Sequence, residues 1–596
     1  MRRNHGGLVA LMVVLAVALA GCGVGATDQP VDEGDALTAG PSVADVVKHQ
    51  PTPEQATTPG DLVKYFLEAA AGGVGANDRV KSFLTPNAVG TWGDPVAPDN
   101  PPLTVVRIVD GPTVEASVGD PPRTPVTIKY QEIGTLSDQG RVDDLAPVTT
   151  RTLTFNVVQD ENGSGYLRID KIVGWPNQQL LLSDDGLREY YDLQPIYFWD
   201  TAYNLLVPDL RYVPLTLNTV QRATKILQWL VAGPSPWLAG AARSLPSGTT
   251  NENVDSDTNG AFLVSLSAEA AGNGDADALR RLMFQLQWSF SWLLVGGAPK
   301  VDLRIDGQSA TVDVLPDEFR KYNNAWSYGD PIHEPYDIST KGVIVTSGGS
   351  APAVLGATEN NDVIYAAIAE GGSVAALVRK DQSGRRRLQI VRSGKAGHID
   401  AMVPLSSTLG RPSFLTPETD IVFVPTGGGD GRLLAVSLVD GKATDVRPGL
   451  VGVSAATVSP DGRRVALIAD GRVSVASLSI SNGQVYLISS TLRQVLAGDF
   501  TARAVTWLSE STLLVGGTSG ADAAPSLWRV TADGVLADNI TSSLRGLDVT
   551  DLVSYPLWTA HGQVDVLANT PQGVYALRTP ASPLPKPALN KPFFGT

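Results

Sequence analysis

Residues 458–478 read VSPDGRRVALIADGRVSVASL. Ser459-Pro460-Asp461-Gly462 has the residues of a tight turn, because proline presets φ and glycine supplies a positive one. Apolar, β-branched runs flank it, so the stretch reads as successive short strands. Two other stretches share its pattern, PSFLTPETDIVFVPTGGGDGRLLAVSL (412–438) and AVTWLSESTLLVGGTSGADAAPSLWRV (504–530). Aligning Phe414, Val458 and Trp507 spaces them by 44 and 49 residues. ENNDVIYAAIAEGGSVAALV (359–378) and HGQVDVLANTPQGVYALR (561–578) are more divergent copies. A repeat of ~40–50 residues carrying several strands predicts an all-β propeller over residues 335–596. That length, about 260 residues, allows five to seven blades.

Upstream, residues 193–320 alternate strand and helix. PIYFWD (195–200) and RYVPLT (211–216) read as strands. Thr219 is expected to cap a helix that turns Val220, Ala223, Ile226, Leu227 and Leu230 inward and stops at Gly233-Pro234. GAFLVSLS (260–267) is a strand, and Leu279, Leu282, Met283, Leu286, Phe290 and Leu293 form one helical stripe. KVDLRIDG (300–307) closes the region as a strand. ATKILQWLVAGP, followed by these elements, resembles the GerMN domain, first named in spore-germination proteins. The resemblance implies a small exported α/β module. Trp229, Trp237, Trp288 and Trp292 gather here and are expected in its core.

Residues 57–192 open with Thr58-Pro59-Gly60-Asp61, an N-cap, a proline at N1 and an acid in the first turn. Leu62, Phe66, Leu67 and Ala70 follow at helical spacing, and a second short helix carries Val80, Phe83 and Leu84. Strand-like alternation then runs through 103–109, 113–118, 126–136, 150–160 and 165–174. Helices followed by a strand meander predict an α+β domain. The pattern loosely resembles the cone-shaped NTF2-like fold, a likeness that carries no activity. The expected fold class is therefore multidomain: α+β, then an α/β GerMN-like domain, then the propeller.

At the N-terminus, Arg2-Arg3 precedes the uncharged run LVALMVVLAVALA (8–20), about 13 residues long. A spanning helix needs roughly 20, so residues 1–21 read as an export signal. Leu19-Ala20-Gly21-Cys22 resembles the bacterial lipobox. The resemblance implies a diacylglycerol on the Cys22 thiol, cleavage before it and an N-acyl group. Residues 22–56, rich in Pro, Asp, Ala, Thr and Gly around Thr27–Gln55, are expected to form a flexible tether.

Cys22 is the only cysteine, so disulfides are absent and stability rests on buried core. A net charge of −15 argues against a duplex nucleic-acid binder. The histidines, His5, His49, His333, His398 and His561, match no local metal motif. Asp255, Asp257, Asn259 and Gly260 fall at the first, third, fifth and sixth places of an EF-hand loop, but Leu266 stands where a bidentate Glu is required. A solvated loop is the better reading. GGGDG (427–431) lies between two strands with no helix N-terminus to cradle a phosphate, so it reads as a hairpin. SGRRRL (383–388) reads as a solvated tip, with contact to anionic lipid or an acidic partner as the functional alternative. No G-x-S-x-G, H-E-x-x-H or Walker A motif is present, and no catalytic, cofactor or metal site is assigned.

Lipobox, tether, α+β domain, GerMN-like domain and propeller, in that order, resemble the LpqB lipoprotein family of high-GC Gram-positive bacteria. ATKILQWLVAGPSPWLAGAARSLPSGT (223–249) carries the resemblance most strongly. It implies an extracytoplasmic lipoprotein, anchored at Cys22, that binds the extracellular sensor domain of the histidine kinase MtrB. It further implies an influence on MtrA/MtrB signalling, cell-wall homeostasis and division. The competing readings are an envelope hydrolase with a site in the propeller, and a glycan- or solute-binding lipoprotein.

Overall fold

A computed structural model describes residues 49–92, 102–143, 149–160, 165–176, 179–257, 261–293, 300–310, 312, 318, 321–323, 334–395, 397–404, 408–415, 420–481, 483–496, 498–555, 566–577 and 584–595. The export signal, Cys22 and most of the expected tether lie outside the described residues, as do His5, His333 and His561. No helix among the described residues is long and apolar enough to cross a membrane.

The chain has the expected multidomain class. The first helix, Pro59–Glu68, opens as its sequence dictates. Thr58 accepts from the Asp61 amide at 3.1 Å, and the Asp61 carboxylate accepts from the Thr58 amide at 3.0 Å. This reciprocal pair satisfies two amides that helix geometry leaves without partners. Leu62, Val63, Phe66 and Leu67 face inward onto a sheet of order Leu167–Val173, Thr150–Gln159, Thr124–Leu136, Leu103–Val114, Leu180–Ser183. Four strands run antiparallel, and Leu180–Ser183 returns parallel to Leu103–Val114. The expected separate strand at 113–118 is not one: Thr113 and Val114 end the first strand, and Val118 makes only an isolated bridge to Arg123. Residues 50–55, expected in the tether, already pack on this domain. Gln50 donates to the Ala71 carbonyl at 2.9 Å and Arg168 meets Glu54 at 2.8 Å.

In the second domain, Tyr191–Trp199 and Leu206–Pro214 pair as an antiparallel hairpin, a two-stranded sheet by itself. Helix Thr219–Ala232 is capped by Asn218, not by Thr219. The Asn218 side chain accepts from the Gln221 amide at 2.9 Å and the Gln221 side chain answers at 3.0 Å, leaving Thr219 as the first helical residue. Phe262–Leu266 and Val301–Ile305 run parallel, joined through helix Ala276–Phe290, with Asn251–Ser256 and Gln308–Ser309 at the edges. All four tryptophans of this region are buried, as expected of core residues.

Among the described residues, the third domain forms six small sheets in a ring. Five have inner strands Val363–Ile368, Ser413–Phe414, Val453–Val458, Phe500–Trp507 and Asp551–Ser554. Phe414, Val458 and Trp507 each end an inner strand, so the repeat alignment marks one structural position. The sixth sheet joins Tyr336–Ser339 and Gly342–Val345 to the C-terminal strand Pro592–Phe593. The two ends of the domain thus close the ring, with Tyr336 stacked on Phe593 at 5.3 Å. GGGDG is the expected hairpin. Gly427 sits at φ 66°, and a Cβ there would lie 2.3 Å from the Thr408 carbonyl, so only glycine fits.

Candidate functional site at the propeller axis

Charged side chains gather in two places, at opposite ends of the inner strands: a buried seam and a partly exposed axial cluster. The first is a seam past the C-terminal ends of the strands that finish at Val458 and Trp507. Here the hairpin Tyr191–Trp199/Leu206–Pro214 meets the propeller rim. Asp200 accepts from Arg463 Nε at 2.9 Å and from Nη2 at 2.5 Å, with both side chains at most 5% exposed. Tyr197 donates to Glu510 at 2.5 Å, Tyr212 donates to Asp533 at 3.0 Å, and Ser477 donates to the Trp237 carbonyl at 2.6 Å. Val207, Leu210, Trp237 and Leu238 share one apolar core with Val475, Val505, Trp507 and Val530 of the propeller.

The first domain joins the same rim: Arg107 donates to the Val535 carbonyl at 3.1 Å and Arg493 to the Val142 carbonyl at 2.7 Å. It also meets the second domain, where Trp229 Nε1 donates to the Asp138 carbonyl at 3.0 Å. Gly140 lies beneath that indole at φ 68°, and a Cβ would sit 2.6 Å from the ring. Ser459-Pro460-Asp461-Gly462 is the expected turn, closed by the Gly462 amide donating to the Ser459 carbonyl at 2.8 Å. Its Asp461 does more than turn: it holds the fully buried Arg464, which also donates to the Glu510 carbonyl at 2.6 Å. The propeller motif and the interdomain seam are therefore built from the same residues.

Burial pushes the Glu510 carboxyl up to about 7, against the Tyr197 hydrogen bond and Arg464, which favour ionisation. The unfolded carboxyl titrates near 4.5, so between pH 4.5 and 7 the folded state holds a proton that the unfolded state has lost. That stabilisation is complete below pH 4.5 and disappears as the pH rises through 7, an effect on the order of 3 kcal/mol. Glu510→Gln keeps a neutral side chain at all pH. Its stability, measured by denaturant titration, is expected to lose this slope relative to the parent; equal slopes would reject the assignment.

The second place is the axial channel, lined by inner-strand residues including Tyr365, Ser413, Thr457, Thr506, Ser554 and Phe593. Arg411 and Asp551, at the N-terminal starts of inner strands, form an ion pair there. Arg386, Arg411 and Lys591 surround the Tyr365 ring, with charged groups 5.7, 5.6 and 5.4 Å from its centroid. Such cation–π contacts are stabilising but do not neutralise charge. Burial and the neighbouring arginines hold the Lys591 ammonium below the usual lysine range, with Asp551 acting in the opposite direction. Arg386 also donates to the Leu409 carbonyl at 2.7 Å.

The other residues singled out by sequence fall elsewhere. His398 is on the outermost strand of its blade, 3.9 Å from Glu359 and 3.6 Å from Asp400. Asp255 lies in strand Asn251–Ser256 opposite Leu263, and Leu266, at the twelfth place of the EF-hand spacing, is buried in the partner strand. Thr258, Asn259 and Gly260 are outside the described residues. Of the arginine tip, Arg385 is held by Asp381 at 3.3 Å, whereas Arg386 turns to the axis. Arg411, Asp551 and Lys591 carry no local motif. Only the ring brings them together.

Fold and axis define a multidomain β-propeller protein with a GerMN-type module built against the propeller rim. Three family models match in the same order: "Lipoprotein LpqB, N-terminal domain" over residues 52–186, "Sporulation and spore germination" over 195–311, and "Lipoprotein LpqB beta-propeller domain" over 342–572. The chain belongs to the Lipoprotein LpqB family. Lipoprotein LpqB of Corynebacterium jeikeium is 26% identical, covering 82% of each chain. That of Mycolicibacterium smegmatis is 24% identical over 89% of each, and that of Nocardia farcinica 23% identical over 95% of this chain and 94% of its own. Among solved structures, the putative TolB of Agrobacterium tumefaciens aligns at a TM-score of 0.26, with 14% identity, over 42% of this chain and 91% of that one.

Proposed function

We propose that this chain is a lipid-anchored, extracytoplasmic binding protein that engages the extracellular sensor domain of the histidine kinase MtrB. Through that contact it modulates MtrA/MtrB signalling, and with it cell-wall homeostasis and division. The observation that carries the reading is the welded body: a buried ion pair, two tyrosine–carboxylate hydrogen bonds and a shared apolar core join the second domain to the propeller, and arginine–carbonyl and indole–carbonyl hydrogen bonds join the first domain to both. Such a body presents a broad, pre-organised surface, so a partner that docks on it orders little of it on binding. The family relatives are named as lipoproteins. Leu19-Ala20-Gly21-Cys22 supplies the matching attachment chemistry, and a diacyl anchor holds a protein at a membrane where one chain holds it only marginally.

The test has two readouts. The purified mature chain is titrated with the kinase's extracellular domain, and saturable binding is expected; none rejects the partner. Metabolic fatty-acid labelling is expected to mark the parent and to vanish in Cys22→Ala. Label that survives rejects the anchor while leaving the partner open to the first readout.

A further inference from the structure

We propose that the mouth of the propeller axis opposite the domain seam binds a small oxyanionic ligand, a phosphate or carboxylate group held by Arg411, Arg386 and Lys591 beside the Tyr365 ring. This inference is independent of the kinase partnership. It begins with charge. Three cations surround one aromatic ring, and Asp551 is the acid paired among them, through Arg411. The cluster keeps an excess of positive charge inside a chain whose net charge is −15. Gathering like charges in a half-buried space is unfavourable unless something offsets them, and the depressed basicity of Lys591 reflects that cost.

Hydrogen-bonding capacity points the same way. Asp551 accepts from Nη2 of Arg411, but Nε and Nη1 of that guanidinium have no acceptor. The planar guanidinium fork matches a carboxylate or a phosphate, which offers several lone pairs to parallel N–H donors. Arg386 commits Nη1 to the Leu409 carbonyl. The Lys591 ammonium adds a compact charge on the other side of the ring.

Topology decides access. Arg411 and Asp551 stand at the N-terminal starts of inner strands, whereas Arg463, Glu510 and Asp533 of the domain seam lie at the other rim. The first two domains therefore pack on the rim opposite to the cation cluster. The cluster is also assembled only when the ring closes, since Lys591 immediately precedes the closing strand Pro592–Phe593.

Isothermal titration of the full mature chain at low ionic strength tests this, with inorganic phosphate and with citrate as probes. Saturable binding of at least one probe is expected, weakened at least tenfold by Arg411→Gln and by Lys591→Gln. Tighter binding of phosphate identifies a phosphoryl source for the natural ligand, and tighter binding of citrate a carboxylate source. Melting of each ligand-free variant checks its fold. If Arg411→Gln is destabilised by losing its Asp551 pair, Lys591→Gln alone decides. Absence of saturation with both probes overturns the proposal, and so does binding that a folded variant leaves unchanged.

Discussion

Replacing Arg463 with alanine is expected to detach the GerMN-type domain from the propeller. The substitution leaves the Asp200 carboxylate fully buried, with only the Asn204 and Leu205 amides, at 2.7 and 3.3 Å, to hold its charge. Removing one partner of a buried ion pair costs about 3–5 kcal/mol, because the remaining charge is neither hydrated nor neutralised. The pair's own net contribution is smaller, since desolvation of both ions offsets their attraction. The contrast is Arg503–Asp548, 43% and 34% exposed, where water already screens the charges and deletion should cost no more than about 1 kcal/mol. Calorimetry of Arg463→Ala should show the transition broaden or split, and limited proteolysis should open the hairpin turn around Asn204 and Leu205. A single unshifted transition would show that the apolar seam alone holds the domains together.

Ending the chain after Leu589 is expected to open the propeller. The truncation removes Phe593 and Phe594, 2% and 6% exposed, and each buried phenylalanine is worth about 3–5 kcal/mol. It also strips Asp337, fully buried, of the Asn590 and Lys591 amides, each at 2.8 Å. A combined loss on the order of 5 kcal/mol or more approaches the total stability of an ordinary domain. The truncated chain should therefore melt far below the parent, or expose its first blade to protease. If both chains melt alike, ring closure does not depend on this strand. The single change Phe593→Ala should reproduce part of the loss while keeping Lys591 in place.

Much of the architecture was legible because it rests on local chemistry. Thr58 and Asp61 bond within one helical turn, so their spacing announced the cap. Ser459-Pro460-Asp461-Gly462 closes a turn through its own backbone, and the recurrence of its context announced the blades. Even the misplaced cap, Thr219 for Asn218, is a one-residue contest between two good capping residues, decided by the reciprocal bond with Gln221. The strand expected at 113–118 failed for a different reason. A strand needs a partner along its length, and past Val114 the ladder thins to a single Glu115–Pro125 backbone bond and the isolated Val118–Arg123 bridge.

The axis and the seam were not legible, and the reason is distance along the chain. Asp200 finds Arg463, Tyr197 finds Glu510, and Arg411 finds Asp551 only after the ring has closed and the hairpin has docked. An aspartate in YFWD or a glutamate in LSES has no local feature that separates it from a solvated side chain. Burial creates that difference, raising the Glu510 carboxyl to about 7 and turning Asp200 into a locking charge. Short-range patterns of turn residues, caps and apolar periodicity indicated by sequence alone most of the elements that form and their order. Tertiary structure alone decided which charges meet and on which rim of the propeller the other domains pack, because electrostatic partnership depends on separation in space and on exclusion of water.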